Sequence, residues 1–171
     1  MPKPIFLIGY MGSGKTTLGK KLANRLGLPF IDTDEEIVKE IGMTITEYFG
    51  QFGEDEFRKL ERAQLRRFAD NYAVISTGGG APCFFDNMEW IKANGYAIYL
   101  YMTPKALFDR LSQSKLHKRP ILIGKSPEEL RAFIEEKLTE REPYYTQAHL
   151  TIDQLNTTVE DLVSMINQHN R

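Results

Sequence analysis

An eight-residue glycine loop near the N-terminus constrains the fold of this chain more than any other segment. Residues 9–16 have the sequence G-Y-M-G-S-G-K-T and directly follow the apolar run Ile5–Ile8. Glycines let backbone N–H groups approach a polyphosphate closely, while Lys15 supplies a cation and the Thr16 hydroxyl a magnesium ligand. Leucines at four-residue spacing predict an amphipathic helix over residues 15–26. Strand, loop and helix in this order predict a nucleotide site rather than a ligand-free glycine turn.

Length, charge and cysteine content limit the class of protein. The chain has 171 residues and a formal net charge of −1, which suits one domain over residues 1–171 and gives no sign of binding to nucleic acid or membrane. Cys83 is the only cysteine, so no intramolecular disulfide can form, which favours a reducing compartment. No apolar run approaches the ~20 residues that span a bilayer, and no signal-peptide pattern occurs. We expect a cytoplasmic protein that acts as a monomer.

Short apolar runs alternate with helical patterns along the chain. The predicted strands are 5–8, 30–31, 73–76, 97–102 and 150–152. The predicted helices are 15–26, 34–41, 45–51, 55–69, 86–93, 104–113, 127–140 and 159–168. Capping patterns at Thr44-x-x-Glu47 and Ser126-Pro127-x-Glu129 mark two helix starts. The alternation predicts an α/β fold of three layers, with helices on both faces of a five-stranded parallel sheet and ligands at the carboxyl ends of the strands.

Two aspartates, Asp32 and Asp34, follow the second predicted strand. Side chains two residues apart at a strand end point the same way. One carboxylate could hold Mg²⁺, directly or through water, and the other could act on a hydroxyl nucleophile as base or orienter. The alternative is that Asp34 only caps the helix that begins near Glu35. Beside a phosphate loop, the pair favours the functional interpretation.

Three consecutive glycines follow the third predicted strand, in T-G-G-G-A-P at residues 77–82. They cost backbone entropy on folding, and a hairpin turn would need fewer. Close approach of this backbone to a ligand explains them better than a tight strand-to-helix connection does. No aspartate ends this strand, so the second metal carboxylate of many phosphate-loop enzymes is missing there. This strengthens the prediction that Asp32 supports the metal.

Three arginines are candidates for binding anions. Arg58 and Glu61 lie three residues apart on a predicted helix, where Glu61 can fix the guanidinium for a carboxylate, although spacing alone favours an ordinary surface pair. Arg119 lies in the basic stretch 114–125, which can close over polyphosphate or be a solvated charge run. Arg141 lies at the end of a long predicted helix, where a cation needs no ligand to explain it.

Together these motifs resemble those of the shikimate kinases, over residue 5 to about residue 152. The resemblance rests on the glycine loop, F-I-D-T-D at 30–34, F-R-x-x-E at 57–61, T-G-G-G-A at 77–81, K-R-P at 118–120 and R-x-P-x-Y at 141–145. Many families share the glycine loop, but the ordered combination is highly specific. The segment 153–157 matches the family's adenine-side loop poorly, so we assign no adenine contacts there.

The resemblance implies an enzyme that phosphorylates the 3-hydroxyl of shikimate with ATP and Mg²⁺, a step of aromatic amino-acid biosynthesis. It implies the fold of the nucleoside monophosphate kinases, with a lid over about 112–126 and a mobile shikimate-binding helical region over about 33–61. It also implies an ATP-binding set that wraps the phosphates. The members of that set are Gly12, Ser13, Gly14, Lys15, Thr16, Thr17 and, on the lid, Arg119.

For the acceptor, the resemblance implies a second set of residues outside the loop. Asp34 would bind the hydroxyls of shikimate and accept a proton, and Lys15 and Arg119 would join it as catalytic residues. The substrate-binding residues would be Asp34, Arg58, Gly79 and Arg141, with Glu61 behind Arg58, and the metal residues would be Thr16 and Asp32. The two arginines would clamp the shikimate carboxylate.

Two other functions are compatible with parts of this pattern. One is another small-molecule kinase of the same architecture, such as a gluconate or nucleotide kinase. Gluconate also carries a carboxylate, so Arg58 and Arg141 alone do not exclude it, although the full motif set favours shikimate. The other is a nucleotide-gated binding module like a small GTPase, which should carry an N-K-x-D motif that this sequence lacks.

Overall fold

The fold is built on one parallel sheet, seen in a computed structural model that describes residues 2–113 and 124–169. Its strands are β1 (Ile5–Ile8), β2 (Phe30–Asp32), β3 (Val74–Ser76), β4 (Tyr96–Tyr101) and β5 (Leu150–Asp153). They are ordered β2-β3-β1-β4-β5, and every neighbouring pair is parallel. The predicted five-stranded parallel sheet is confirmed.

Helices cover both faces of this sheet. They are α1 (Lys15–Leu26), α2 (Thr33–Ile41), α3 (Ile45–Arg66), α4 (Asn87–Asn94), α5 (Pro104–Gln113), α6 (Pro127–Tyr145) and α7 (Val159–His169), with a 3₁₀ turn at Ala81–Cys83. The alternation of β1 assigns the two faces: Phe6 and Ile8 pack with side chains of α3 to α6, and Ile5 and Leu7 with those of α1 and α7. The predicted three layers are therefore present. No helix among the described residues is long and apolar enough to cross a bilayer.

Because β1 is the central strand, the candidate site residues that follow β1, β2 and β3 lie at one edge of the sheet. The four residues of β1 are all buried, and the glycine loop leaves the sheet directly from the end of this strand. Ser76 lies opposite Leu7 on one side and opposite Asp32 on the other. The segments that follow β1, β2 and β3 therefore meet at the carboxyl edge, where ligands are expected in such sheets.

Two helices differ from the sequence prediction in their length or continuity. The helix α6 does not end at residue 140 but continues to Tyr145, with Pro143 in its last turn. Arg141 thus lies inside the helix and not at its end. The element α3 spans both segments predicted as separate helices, but Gly53 has non-helical torsion angles (φ 84°, ψ 171°) and divides it at a kink, so the two predicted helices are present; the second ends at Arg66 rather than at residue 69. Both predicted capping boxes, at Thr44 and Ser126, are confirmed.

The single tryptophan of the chain packs α4 against the sheet. Trp90 packs its ring edge-on against Phe6 of β1, with the ring centroids 6.0 Å apart. The Arg66 guanidinium of α3 covers the same indole at 4.9 Å. The elements β1, α3 and α4 are therefore in contact at this point.

Candidate active site

The glycine loop has the backbone conformation that its sequence predicts. Gly12 (φ 80°) and Gly14 (φ 85°) are left-handed, a region that other residues rarely adopt. Gly14 is also the N-cap residue of α1 and has no side chain with which to cap it. The start of α1, with its positive dipole end, therefore opens toward the space above the loop, as anion binding requires.

Lys15 is held inside this loop. Its ammonium donates hydrogen bonds to the carbonyl oxygens of Gly9 at 2.7 Å and Tyr10 at 3.0 Å, and the residue is buried. The side chain nevertheless lines the cleft above the loop. Backbone oxygens thus hold the Lys15 ammonium beside the cleft, where a bound phosphate could replace them as its partner.

Asp32 begins α2 and also faces the loop. Its Oδ1 accepts hydrogen bonds from the N–H groups of Asp34 (2.9 Å) and Glu35 (3.3 Å). The helix is therefore capped by Asp32, and the alternative that Asp34 is the capping residue is wrong. The other oxygen, Oδ2, accepts from the Thr16 hydroxyl at 3.3 Å. Two hard oxygen donors side by side at the end of a phosphate loop fit the ligand preference of Mg²⁺.

Asp34 does not cap the helix, and its poorly solvated carboxylate lines the cleft. Its Oδ1 is buried and has no hydrogen-bond partner among the residues that the structure describes. Burial, and after it the charge of Asp32, raises the pKa of Asp34 to about 6, against the opposite effects of Lys15 and Arg58. A carboxylate that titrates near neutral pH can accept a proton from a hydroxyl group.

Arg58 and Glu61 form a buried ion pair on α3, not an ordinary surface pair. Arg58 Nη1 donates to Glu61 Oε1 at 2.8 Å, and the two residues are only 9% and 3% exposed. The guanidinium is further held by Glu54 (3.3 Å) and lies 4.1 Å from the ring centroid of Phe84. Burial raises the pKa of Glu61 to about 7, although Arg58 favours its ionised form. The pair fixes a guanidinium beside the cleft.

The three glycines after β3 leave room for these side chains. A Cβ atom on Gly78 would lie 2.9 Å from Asp34 Oδ1 and 3.0 Å from Glu61 Oε2. One on Gly80 would lie 2.7 Å from both terminal nitrogens of Arg58. None of the three glycines has a positive φ, so space rather than backbone conformation explains them. The sequence predicted close approach to a ligand, and here the charged side chains of the site approach the same backbone.

Arg141 enters the cleft from α6, on the far side of the glycines. Its Nη1 would lie 3.4 Å from a Cβ atom on Gly79, and its guanidinium lies 5.6 Å from the ring centroid of Tyr10. Because Arg141 lies inside α6, the helical turns before and after it fix the direction in which its side chain leaves the helix. The two arginines therefore reach the triple-glycine segment from two different helices.

These residues share one cleft of about 830 Å³. The members predicted from the sequence are Gly12, Gly14, Lys15, Thr16, Thr17, Asp32, Asp34, Arg58, Glu61, Gly79 and Arg141. Ser13 is buried in the loop, and its hydroxyl would lie 3.0 Å from a Cβ atom added at Gly9. Arg119 and most of the predicted lid over 112–126 lie outside the described residues.

Sequence reasoning missed part of the site. Ile45, Phe49 and Phe57 of α3 line the cleft with apolar surface. Arg110 of α5 donates to the Gly12 carbonyl at 3.2 Å and to Gln154 Oε1 at 3.3 Å. The rule that ligands lie beyond strand ends could have found Gln154, because it directly follows β5.

Arg110 and Gln154 border a second pocket of about 650 Å³ beside the loop. Thr17 and Lys21 of α1 line it, and the segment before α7 closes its other side. Thr17 and Arg110 line both spaces, so the pocket adjoins the cleft. An extended ligand could occupy the two spaces at once.

Comparison with known proteins points to one family. A family model described as shikimate kinase matches residues 11–170. A shikimate kinase of Parabacteroides distasonis is 50% identical over 152 residues, which are 88% of this chain and 87% of that protein. The crystal structure of a shikimate kinase from Bacteroides thetaiotaomicron superposes with a TM-score of 0.89 at 45% identity, covering 97% of each chain. One from Acinetobacter baumannii in complex with shikimate gives 0.83 at 36% identity, covering 98% of this chain and 92% of that one.

Proposed function

This chain belongs to the shikimate kinase family, and from that premise we propose that it transfers the γ-phosphoryl group of ATP to the 3-hydroxyl of shikimate, giving ADP and shikimate 3-phosphate. The observation that carries the proposal is the cleft in which a phosphate loop faces a poorly solvated carboxylate and two arginines. Shikimate is small and anionic, with three hydroxyl groups. Arginines suit its carboxylate, and Asp34 suits its hydroxyls.

The donor occupies the loop side of the cleft. Backbone N–H groups of residues 12–17 bind the phosphates, and the start of α1 adds its dipole. Lys15 exchanges its bonds to the Gly9 and Tyr10 carbonyls for phosphate oxygens, which needs only a short movement of a flexible side chain. The adenine base of ATP lies in the second pocket, against Arg110 and the segment after β5. The sequence alone predicted no adenine contacts in that segment.

Thr16 and Asp32 would hold Mg²⁺, with phosphate oxygens completing its shell. Bound there, the ion would neutralise charge on the phosphates. Asp32 is well suited to hold the ion in a fixed position, directly or through water, because its other oxygen accepts from two N–H groups of α2.

The acceptor occupies the other side. Arg58 and Arg141 clamp the carboxylate of shikimate, Glu61 holds Arg58 in place, and the Gly79 backbone binds a substrate hydroxyl. Apolar side chains of α3 exclude water from this part of the cleft. Residues 33–61, which supply Asp34, Arg58 and these apolar groups, are the proposed shikimate-binding helical region.

The reaction is a displacement at phosphorus. The 3-hydroxyl oxygen bonds to the γ-phosphorus, the bond to the β–γ bridging oxygen breaks, and the hydroxyl proton passes to the Asp34 carboxylate. Lys15 stabilises the negative charge on the transferred group. Arg119, in the proposed lid over 112–126, contacts the same phosphates. All these residues come from one chain, so we propose a monomer, and the use of ATP together with an unpaired Cys83 suits the cytoplasm.

A coupled assay of ADP release tests the function. With ATP and Mg²⁺, turnover should depend on shikimate, and phosphorus NMR should identify the 3-phosphate. Gluconate and nucleoside monophosphates serve as alternative acceptors at the same concentration. ADP release that is independent of shikimate, or faster with another acceptor, would contradict the proposal.

A further inference from the structure

The tyrosine of the R-x-P-x-Y motif has no role in the mechanism so far. Tyr145 is fully buried, and its hydroxyl donates a hydrogen bond to the Gly79 carbonyl oxygen at 2.5 Å. The bond joins α6 to the triple-glycine segment, 66 residues away in sequence. A core tyrosine could bond to any nearby acceptor, but this one reaches the backbone that faces the acceptor side of the cleft.

The Arg141 guanidinium lies close to the same hydroxyl, and its positive charge opposes the effect of burial on the pKa of Tyr145. Arg141 and Tyr145 are four residues apart on α6, so both side chains leave the same face of the helix. A phenol has one hydrogen to donate, and here Gly79 receives it. The hydroxyl lone pairs can then accept from Arg141, because a guanidinium has donors only. Burial raises the pKa of Tyr145, so the hydroxyl keeps its hydrogen at neutral pH.

We propose that Tyr145 is a positioning residue that aligns the Gly79 peptide and the Arg141 guanidinium for shikimate; this inference rests on the function proposed above. Because a peptide unit is planar and trans, holding the Gly79 carbonyl also fixes the direction of the Gly80 N–H. Three consecutive glycines restrict their own backbone little. The Gly78 and Gly80 carbonyls accept from the N–H groups of the following turn, and the Gly79 carbonyl accepts from Tyr145. A single hydroxyl thus orients two groups on the acceptor side.

Tyr99 provides a matched control within the same aromatic cluster. It is equally buried, and its ring centroid lies 5.0 Å from that of Tyr145. Its hydroxyl donates to Glu142 Oε2 at 2.8 Å, on the same helix. Tyr99→Phe therefore removes a buried hydroxyl bonded to α6 without removing a bond to Gly79 or Arg141.

The test compares Tyr145→Phe, Tyr99→Phe and the unmodified protein in steady-state kinetics. Tyr145→Phe should raise the KM for shikimate about tenfold, because a carbonyl and a guanidinium lose a buried partner. Its kcat and its KM for ATP should change by less than about twofold, as should all three constants of Tyr99→Phe. Thermal unfolding of both variants measures the structural contribution of each hydroxyl.

Several outcomes would overturn the inference. A shikimate KM unchanged in Tyr145→Phe, an equal increase in Tyr99→Phe, or equal losses in the kinetics for ATP and shikimate would each mean that the hydroxyl only supports the core. A Tyr145→Phe chain that does not fold would mean the same. The effect of Tyr145→Phe should also shrink in an Arg141→Ala background, and full additivity would contradict action through Arg141. Absence of shikimate-dependent turnover in the unmodified protein would contradict the proposed function instead.

Discussion

The two sides of the cleft are built in different ways. The phosphate-binding part of the proposed donor side is one continuous segment, residues 9–17, whose backbone conformation forms the binding surface. The proposed acceptor side combines side chains from three separate places, around residues 34, 58–61 and 141, with the backbone of residues 78–80. The first surface is fixed by local backbone geometry and by attachment to the central strand. The second depends on packing between elements.

This difference determines how each side should respond to substitution. A change on the donor side should affect turnover, because the transferring group is held there. A change on the acceptor side should affect shikimate recognition, except at Asp34, where the loss of the proposed proton acceptor should lower turnover. Changes at the buried charged groups should also alter stability. The variants below test this distinction.

The largest expected effect comes from Lys15→Met. Methionine retains the length of the side chain but removes the cation that we propose stabilises the transferred group. We expect kcat to fall by about a thousandfold or more, with little change in thermal stability. Steady-state kinetics at saturating ATP and shikimate measures the loss. A variant with near-normal kcat would refute this role, and Lys20→Met on the exposed face of α1 is the matched control.

Asp34→Asn should lower kcat by about a hundredfold to a thousandfold, because the amide cannot accept the proton. It should also stabilise the protein at pH 8. The folded pKa of about 6 exceeds the ordinary aspartate pKa of 3.8, so ionised Asp34 costs stability, on the order of 2–3 kcal/mol.

The pH dependence follows with a definite sign. As the pH falls through about 6, Asp34 in the folded protein binds a proton, so the stability advantage of Asp34→Asn should shrink. The kcat of the unmodified enzyme should fall over the same range. Denaturant unfolding at pH 8 and pH 5 measures the first effect. Equal advantages at both pH values would contradict it, and Asp70→Asn, at an exposed position, is the control.

Arg58→Ala should raise the KM for shikimate by about a hundredfold while leaving the KM for ATP nearly unchanged. The loss corresponds to about 2–4 kcal/mol for a guanidinium that meets a buried carboxylate. The variant should also unfold more easily, because Glu61 is left buried without its partner. Arg67→Ala, which removes an exposed arginine paired with Glu40, should change neither property. An unchanged KM for shikimate would exclude the clamp.

The smallest effect is expected for Gly80→Ala. The added methyl group would lie 2.7 Å from the Arg58 nitrogens, so the guanidinium must shift, and the KM for shikimate should rise about tenfold. Gly50→Ala is the control, because nothing lies within 4 Å of a Cβ atom there. That change inside α3 should add about 0.5–1 kcal/mol of stability without altering kinetics. Similar kinetics for both variants would contradict the spatial role of the triple glycine.

The same comparison explains what the sequence could predict. The strands, their parallel arrangement and the phosphate loop follow from periodicity and a contiguous motif, so local patterns were sufficient for them. The burial of Glu61 beside Arg58 depends on how α3 packs against the segment after β3, which spacing on one helix cannot reveal. Resemblance to a family supplied the roles on the acceptor side, and local patterns did not.

The errors have physical causes. The end of α6 was predicted at residue 140, but Pro143 lies in the last turn, where the loss of one N–H donor does not stop the helix before Tyr145. Arg110 was overlooked because its partners, Gly12 and Gln154, are distant in sequence. Asp34 was considered as a cap because that alternative placed the start of α2 near Glu35, two residues after the observed start at Thr33.

The position of Trp90 determines what intrinsic fluorescence can report. The chain has one tryptophan, and its partly buried indole packs against Phe6 and Arg66 at the junction of β1, α3 and α4. Its emission should therefore change when these elements separate, which makes it a clean optical signal for unfolding. Because the indole does not line the cleft, ligand titrations are better followed by calorimetry, or by an engineered fluorophore near Phe49.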